Sequence, residues 1–272
     1  MSDKNINLLK ETIKDADLVL IGIGEEWSVP DQTAINVVKK QDDSDMWLQE
    51  HGVVTFLKKL LLEKKSIPEA EVIKKGYECL AELLRDKNYF IVSLCDDGLI
   101  RSVGLRDDRI VQPCGNMTKL QCPDGCEDTL FMFDELFADK LSGISKLSGE
   151  ELLNEVKKIW NHKCPVCGKN LVFNTLKADR YLETGYLDEW TIYKKWLQGT
   201  VNKKVCIAEL GVGMKYPTVI RWPFEKIAFF NQKASFFRVH SRLYQTAEEI
   251  KEKSVAMQMT AEEFIQELSS CD

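Results

Sequence analysis

The chain has no run approaching the roughly 18 consecutive apolar residues that a membrane helix requires. Its charged first stretch, residues 1–17, lacks the apolar core and cleavage site of a secretory signal. Both absences predict a soluble, cytoplasmic protein with no membrane partner. No long basic tract is present either: 43 Asp and Glu against 37 Lys and Arg give a net charge of −6. General nucleic-acid binding, which needs clustered positive charge, is therefore not expected. Histidine is scarce, with three in 272 residues, so few side chains are available as a base that titrates near neutrality. Internal repeats and low-complexity segments are missing. Hydrophobic residues nevertheless make up 44%, enough for a real core, which excludes wholesale disorder.

Cysteine is plentiful by contrast, with nine residues at 79, 95, 114, 122, 126, 164, 167, 206 and 271. An odd number in a chain without a secretory signal is poor material for a disulfide framework. Four of them form two tight pairs, Cys122-Pro-Asp-Gly-Cys126 and Cys164-Pro-Val-Cys167-Gly168. Each spacing lets two thiolates reach one tetrahedral ion, and the Pro and Gly residues permit the turn. Zinc is the expected occupant, against reduced structural thiols or two disulfides. A closed shell of Cys122, Cys126, Cys164 and Cys167 leaves no position for water, so one structural Zn2+ per chain is expected. It would hold together a small module with little core of its own. His162, near Cys164, reads as a polar surface residue of a helical segment. Lys157, Lys158, Lys163, Lys169, Lys177 and Arg180 read as a solvated face.

Short apolar runs alternate with helical patterns. Residues 17–21, 89–94, 109–112, 205–210 and 235–239 read as buried strands. Helices are expected over about 33–63 with an acidic break at 41–45, and from Pro68 after the start signal Ser66-Ile-Pro-Glu69. Further helices are expected over 130–141, 149–160 and 188–198, with Trp190, Tyr193 and Trp196 facing inward, and after the capping box Thr260-Ala-Glu-Glu263. This alternation implies βαβ crossovers. The fold class is α/β: a doubly wound, Rossmann-like parallel sheet from residues 1–116 and 179–272. A small zinc-binding module with a helical insertion, residues 117–178, interrupts it.

Two glycine turns, Gly22-Ile23-Gly24 and Gly211-Val212-Gly213, each follow a strand. Glycine there lets backbone approach a phosphate, although a lone Gly-x-Gly is weak evidence. Glu25 and Glu26 directly follow the first turn and would repel a pyrophosphate unless they point away.

The order of these elements resembles the sirtuins, a family of NAD-dependent protein deacylases and ADP-ribosyltransferases. The most specific stretch is Glu209-Leu-Gly-Val-Gly-Met-Lys-Tyr-Pro-Thr-Val-Ile-Arg-Trp-Pro-Phe224, which is similar to bacterial sirtuins of the macrodomain-linked branch. The resemblance spans about residues 10–245. It implies NAD as cofactor, an acylated or ADP-ribosylated protein as substrate, and cofactor-binding positions at Gly22, Gly24, Asp97, Gly211, Gly213 and His240. It places the catalytic positions at Cys95, Asp97 and Cys114. Ser93-Leu-Cys-Asp-Asp97 aligns with the family's Thr-Gln-Asn-Ile-Asp, so Asp97 keeps the Asp while Cys95 replaces the Asn. Cys114-Gly115 aligns with the family's His-Gly base, and His240 replaces a late Asn. Pro30-Asp31 echoes the family's Pro-Asp, with Gln32-Thr33 in place of Phe-Arg. An imidazole titrating near 6.5 suits a base at neutral pH, whereas a thiol near 8.5 stays mostly protonated. The resemblance thus implies a divergent deacylase or ADP-ribosyltransferase with an altered active site. The alternative is a catalytically inactive sirtuin-fold ligand sensor or interaction module. A third reading is a structural subunit that docks through its cysteine module, with Trp27, Trp47 and Trp222 available for an interface, although buried core positions are the expected use of these tryptophans.

Overall fold

The computed structural model describes residues 2–38, 53–63, 65, 67–144, 147 and 149–270. The chain runs α1 (Ser2–Asp15), β1 (Leu18–Ile23), α2 (Asp31–Val38), α3 (Val53–Glu63), α4 (Pro68–Leu84), β2 (Tyr89–Ser93) and β3 (Ile110–Val111). It continues through β4 (Gly115–Gln121), β5 (Phe131–Met132), α5 (Phe133–Ile144), α6 (Gly149–Ile159) and β6 (Val172–Thr175). It closes with α7 (Leu187–Gln198), β7 (Val205–Leu210), α8 (Arg221–Phe230), β8 (Ala234–Val239), β9 (Ser254–Met257) and α9 (Ala261–Ser270).

Every residue of β1, β2 and β7 is buried, because helices cover both faces of the sheet and neither set of alternating side chains meets water. Val19, Ile21 and Ile23 enter one core with Ile6, Leu9 and Ile13 of α1, Tyr77 of α4 and Phe264 of α9. Leu18 and Leu20 enter the other, with Tyr193 and Trp196 of α7 and Phe224 of α8. The six strands lie in the order β3-β2-β1-β7-β8-β9, all parallel. The doubly wound sheet is as expected. Its strand order reverses between β1 and β7, so the crevice beyond their carboxyl ends is the topological switch point, where such folds take ligands.

A three-stranded antiparallel sheet, β5-β4-β6, forms the interrupting module. It begins at Gly115, just ahead of the expected boundary. Phe133, Phe137, Trp160 and Phe173 stack beside it. Phe56 of α3 lies 4.7 Å from Trp160, so a helix that precedes the module in sequence packs against it.

Several local expectations are corrected. Residues 131–132 pair with β4 before α5 begins, because a short strand and the first turn of a helix are hard to separate in one apolar run. His162 lies beyond the end of α6 rather than in a helix. Trp27 takes the expected core position, fully buried against Tyr77 and Phe264, whereas Trp222 departs from it and is half exposed on α8. Helices α1 and α8 and strands β4, β6 and β9 carry no counterpart among the expected elements. Trp47, His51, Ser66, Cys271 and the acidic segment 41–45 lie outside the described residues. Among the described residues, no helix is long and apolar enough to cross a membrane.

Candidate functional site

The ligand atoms of Cys122, Cys126, Cys164 and Cys167 lie within 4.8 Å of one another. Cys122 Sγ is 3.5 Å from Cys126 Sγ and 3.6 Å from Cys167 Sγ. A tetrahedral zinc with bonds of about 2.3 Å would set its sulfurs about 3.8 Å apart, whereas a disulfide would bring two of them to about 2.05 Å. The four thiols therefore fit a metal shell and exclude the pair of disulfides. Both knuckles are closed by backbone bonds, Gly125 N–H to Cys122 O at 3.1 Å and Gly168 N–H to Cys164 O at 2.9 Å. Basic residues nearby are spent locally: Lys169 on Asp124 (2.8 Å), Arg180 on the Asp124 carbonyl, and Lys158 on Glu155.

At the switch point the two glycine turns touch. A Cβ on Gly24 would lie 2.1 Å from Gly211 O and 2.2 Å from Val212 Cα, so only glycine permits the approach. Gly22 serves a different purpose. It lies inside β1, and a Cβ there would meet Ile220 at 2.5 Å and Phe224 at 2.9 Å. The space of its missing side chain is filled by Ile220 and Phe224, so core packing alone accounts for a glycine there.

Glu25 and Glu26, in a single 3-10 turn after Gly24, fold into the same crevice. Gly213 N–H donates to Glu25 Oε2 at 2.9 Å. Glu25 Oε1 is buried without a hydrogen-bond partner among the described residues. Ser241 N–H donates to both oxygens of Glu26, at 3.2 and 3.3 Å, and its hydroxyl donates to Oε1. His240 Nδ1 lies 3.2 Å from Glu26 but accepts the N–H groups of Arg242 and Leu243, at 3.0 and 3.1 Å. That network assigns the ring hydrogen to Nε2 and leaves nothing on Nδ1 to give Glu26. Burial, opposed by Glu26, lowers the His240 pKa, so the ring is neutral.

Cys95 and Cys114 reach this crevice from opposite sides. Cys95 Sγ donates to Gly24 O at 3.3 Å, and its own carbonyl accepts Gln112 Nε2 at 2.8 Å. Burial, then the charge of Asp97, pushes its thiol up to about 12. Cys114 is held through its carbonyl by Leu176 N–H at 3.1 Å. Burial, then Asp96 and Glu25, raises its thiol to about 12 as well. Both thiols are protonated at neutral pH and neither is a base there. Asp97 accepts Leu99 N–H at 3.1 Å and Val29 N–H at 3.4 Å, so it ties the loop after β2 to the turn before α2. Burial, only partly offset by Lys58, lifts its carboxyl from 3.8 to about 6.

Beside it lies a charge cluster that sequence reasoning missed. Lys58, 1% exposed, pairs with Asp31 at 3.2 Å and Asp96 at 3.5 Å. Lys177, just past β6, pairs with the same two carboxylates at 2.6 and 3.1 Å. Burial opposes it, but the two lysines hold the Asp31 carboxyl below its ordinary value. The cluster joins the module to the parallel sheet. Lys58 was legible: Val54, Leu57 and Leu61 surround it at helical spacing and all are buried. Gln112, whose Oε1 also accepts Arg101 and Asn116, had no pattern to mark it.

No protein-family model matches the chain. A protein ADP-ribosyltransferase of Staphylococcus aureus (strain Mu50 / ATCC 700699) is 20% identical over 93% of this chain and 83% of its own. A probable bifunctional ADP-ribose hydrolase/ADP-ribosyltransferase of Fusarium oxysporum f. sp. cubense is 28% identical over 56% of this chain, which spans 26% of the fungal protein. The solved structure of Sir2Af2 bound to a myristoylated histone peptide superposes with a TM-score of 0.55 at 14% identity, covering 98% of this chain and 95% of that one. The chain has the sirtuin fold. A Sir2 homologue in complex with 2'-O-acetyl ADP ribose gives a TM-score of 0.53 at 12% identity over 97% and 94% of the two chains. Within this sirtuin fold one crevice gathers two buried, protonated thiols, Cys95 and Cys114, and two carboxylates, Glu25 and Glu26.

Proposed function

We propose that the protein is a sirtuin-type, NAD-linked transferase with a rebuilt site, acting on an acylated or ADP-ribose-accepting protein in the cytoplasm. ADP-ribosyl transfer is the reaction it fits best. The observation that carries this reading is the meeting of Gly24 and Gly211 at the switch point, with Cys95 bonded to Gly24 O. It is supported by the S. aureus and fungal relatives, whose names include ADP-ribosyltransferase. Sirtuin-type deacylation requires a base for a ribose hydroxyl. Burial, then Asp96 and Glu25, raises the Cys114 thiol far above neutrality, so it offers no such base at pH 7. NAD, when bound, supplies the ADP-ribosyl group with nicotinamide as the leaving group.

In this reading Gly24, Gly211, Gly213 and His240 line the cofactor side. Cys95 and Cys114 are neutral walls, and Asp97 positions the two segments it bonds. Zinc on the four cysteines is structural. The described cysteines form no disulfide, in keeping with a reducing compartment.

The test incubates the zinc-loaded chain with millimolar labelled NAD and acylated or unmodified acceptor proteins. Expected are a raised melting temperature, nicotinamide release and label on the acceptor. The absence of both a thermal shift and nicotinamide release would sink the reading. Loss of an acyl group instead of labelling would assign deacylation. Cys95→Asn with Cys114→His should confer or strengthen deacylation by restoring a base that titrates near neutrality.

A further inference from the structure

We propose that Glu25 and Glu26 determine what the cleft accepts, because they occupy donors at the strand ends, Gly213 N–H of the second glycine turn and Ser241 N–H after β8, that a dinucleotide's phosphates would need, and NAD enters only when Glu25 is displaced. The inference rests on the NAD reading above and concerns how the same site is controlled.

A phosphate at a switch point is held by backbone N–H groups close to the strand ends. Here several of those groups are already engaged. Gly24 N–H donates to Leu210 O at 2.9 Å, Glu26 N–H to Gly211 O at 3.3 Å, Trp27 N–H to Gly24 O at 3.1 Å and Gly211 N–H to Val239 O at 2.8 Å. Two further donors, Gly213 N–H and Ser241 N–H, are taken by Glu25 and Glu26. A carboxylate and a phosphate oxygen compete for such a donor on equal chemical terms, and their like charges prevent them from sharing it.

The closed arrangement is also imperfect. Glu25 spends one oxygen on Gly213 and buries the other without a partner among the described residues, which is costly for an anion. Glu26 has two donors from Ser241 and is the firmer of the two. Glu25 is therefore the carboxylate to yield first. A ligand that binds only the yielded state has its affinity reduced by the fraction of molecules in that state.

The test measures NAD and ADP-ribose binding by titration calorimetry on the zinc-loaded full chain, its Glu25→Ala, Glu26→Ser and double variants, and the isosteric Glu25→Gln and Glu26→Gln. The expected result is tighter binding by tenfold or more for Glu25→Ala, a smaller gain for Glu26→Ser, and an intermediate gain for the glutamines, which keep the acceptor and lose the charge. Should an alanine variant fold poorly, the glutamine pair still decides. If the wild-type chain binds NAD and every variant binds it no more tightly, the carboxylate proposal is wrong and the NAD reading stands. If neither wild type nor any variant binds NAD or ADP-ribose at millimolar concentration, both are overturned.

Discussion

At the scale of single residues, burial decides the chemistry. Asp97 is 3% exposed, and its carboxyl ionises near 6 rather than 3.8. A folded-state pKa above the unfolded value means that the folded chain holds the extra proton between those two pH values. Stability therefore falls as pH rises through the window from about 4 to 6. The interval corresponds to about 3 kcal/mol at 1.36 kcal/mol for each tenfold step. Asp97→Asn lacks the titration. The expected outcome is that the wild type loses up to that amount relative to Asp97→Asn between pH 4 and pH 7.5, read from urea midpoints. A difference that stays constant with pH would count against a buried Asp97 whose partners only partly offset its burial. The same logic accounts for Cys95 and Cys114: alignment alone marks them as replacements for Asn and His, but only their enclosure shows that both thiols stay protonated.

At the scale of elements, the strands were legible because continuous apolar runs bounded by turns need helices on both faces, and each expected run has a strand within or overlapping it. The capping box was legible for a similar local reason. Thr260 Oγ1 accepts Glu263 N–H at 3.2 Å, and Glu263 Oε2 accepts Thr260 N–H at 2.7 Å, a reciprocal bond that needs nothing from the rest of the fold. The first glycine turn was only half legible. Gly24 serves a close approach of two turns, while Gly22 makes room for Ile220 and Phe224 of α8, and a sequence motif cannot separate those uses. Gly22→Ala is expected to cost about 1–3 kcal/mol through overpacking, seen as a lower urea midpoint with an unchanged slope. If it left stability intact and instead weakened NAD binding, Gly22 would belong to the cofactor site after all.

For the whole molecule, two layers of helices hold the sheet, while the module depends on its cysteines, one aromatic stack and the Lys58–Asp31–Asp96–Lys177 cluster. Metal analysis of the purified chain is expected to find about one zinc per chain, as a single four-thiolate site requires. Stripping the metal, or Cys122→Ser, should lower the melting temperature and loosen the packing around Trp160, seen as red-shifted tryptophan emission. A metal-free chain that melts at the same temperature would refute the structural zinc.

The sequence by itself determined the α/β class, the parallel sheet and the four-cysteine module, because hydrophobic period, turn residues and ligand spacing are all local properties of the chain. It also placed Cys95, Asp97, Cys114 and His240 as the positions to inspect. Only the tertiary structure decided what those positions can do. A thiol's pKa, the donor a carboxylate captures and the space a glycine leaves all depend on residues far away in sequence. Glu25 meets Gly213 only because the strand order brings β7 beside β1, and Lys177 meets Asp96 only because the module packs back over the strand ends.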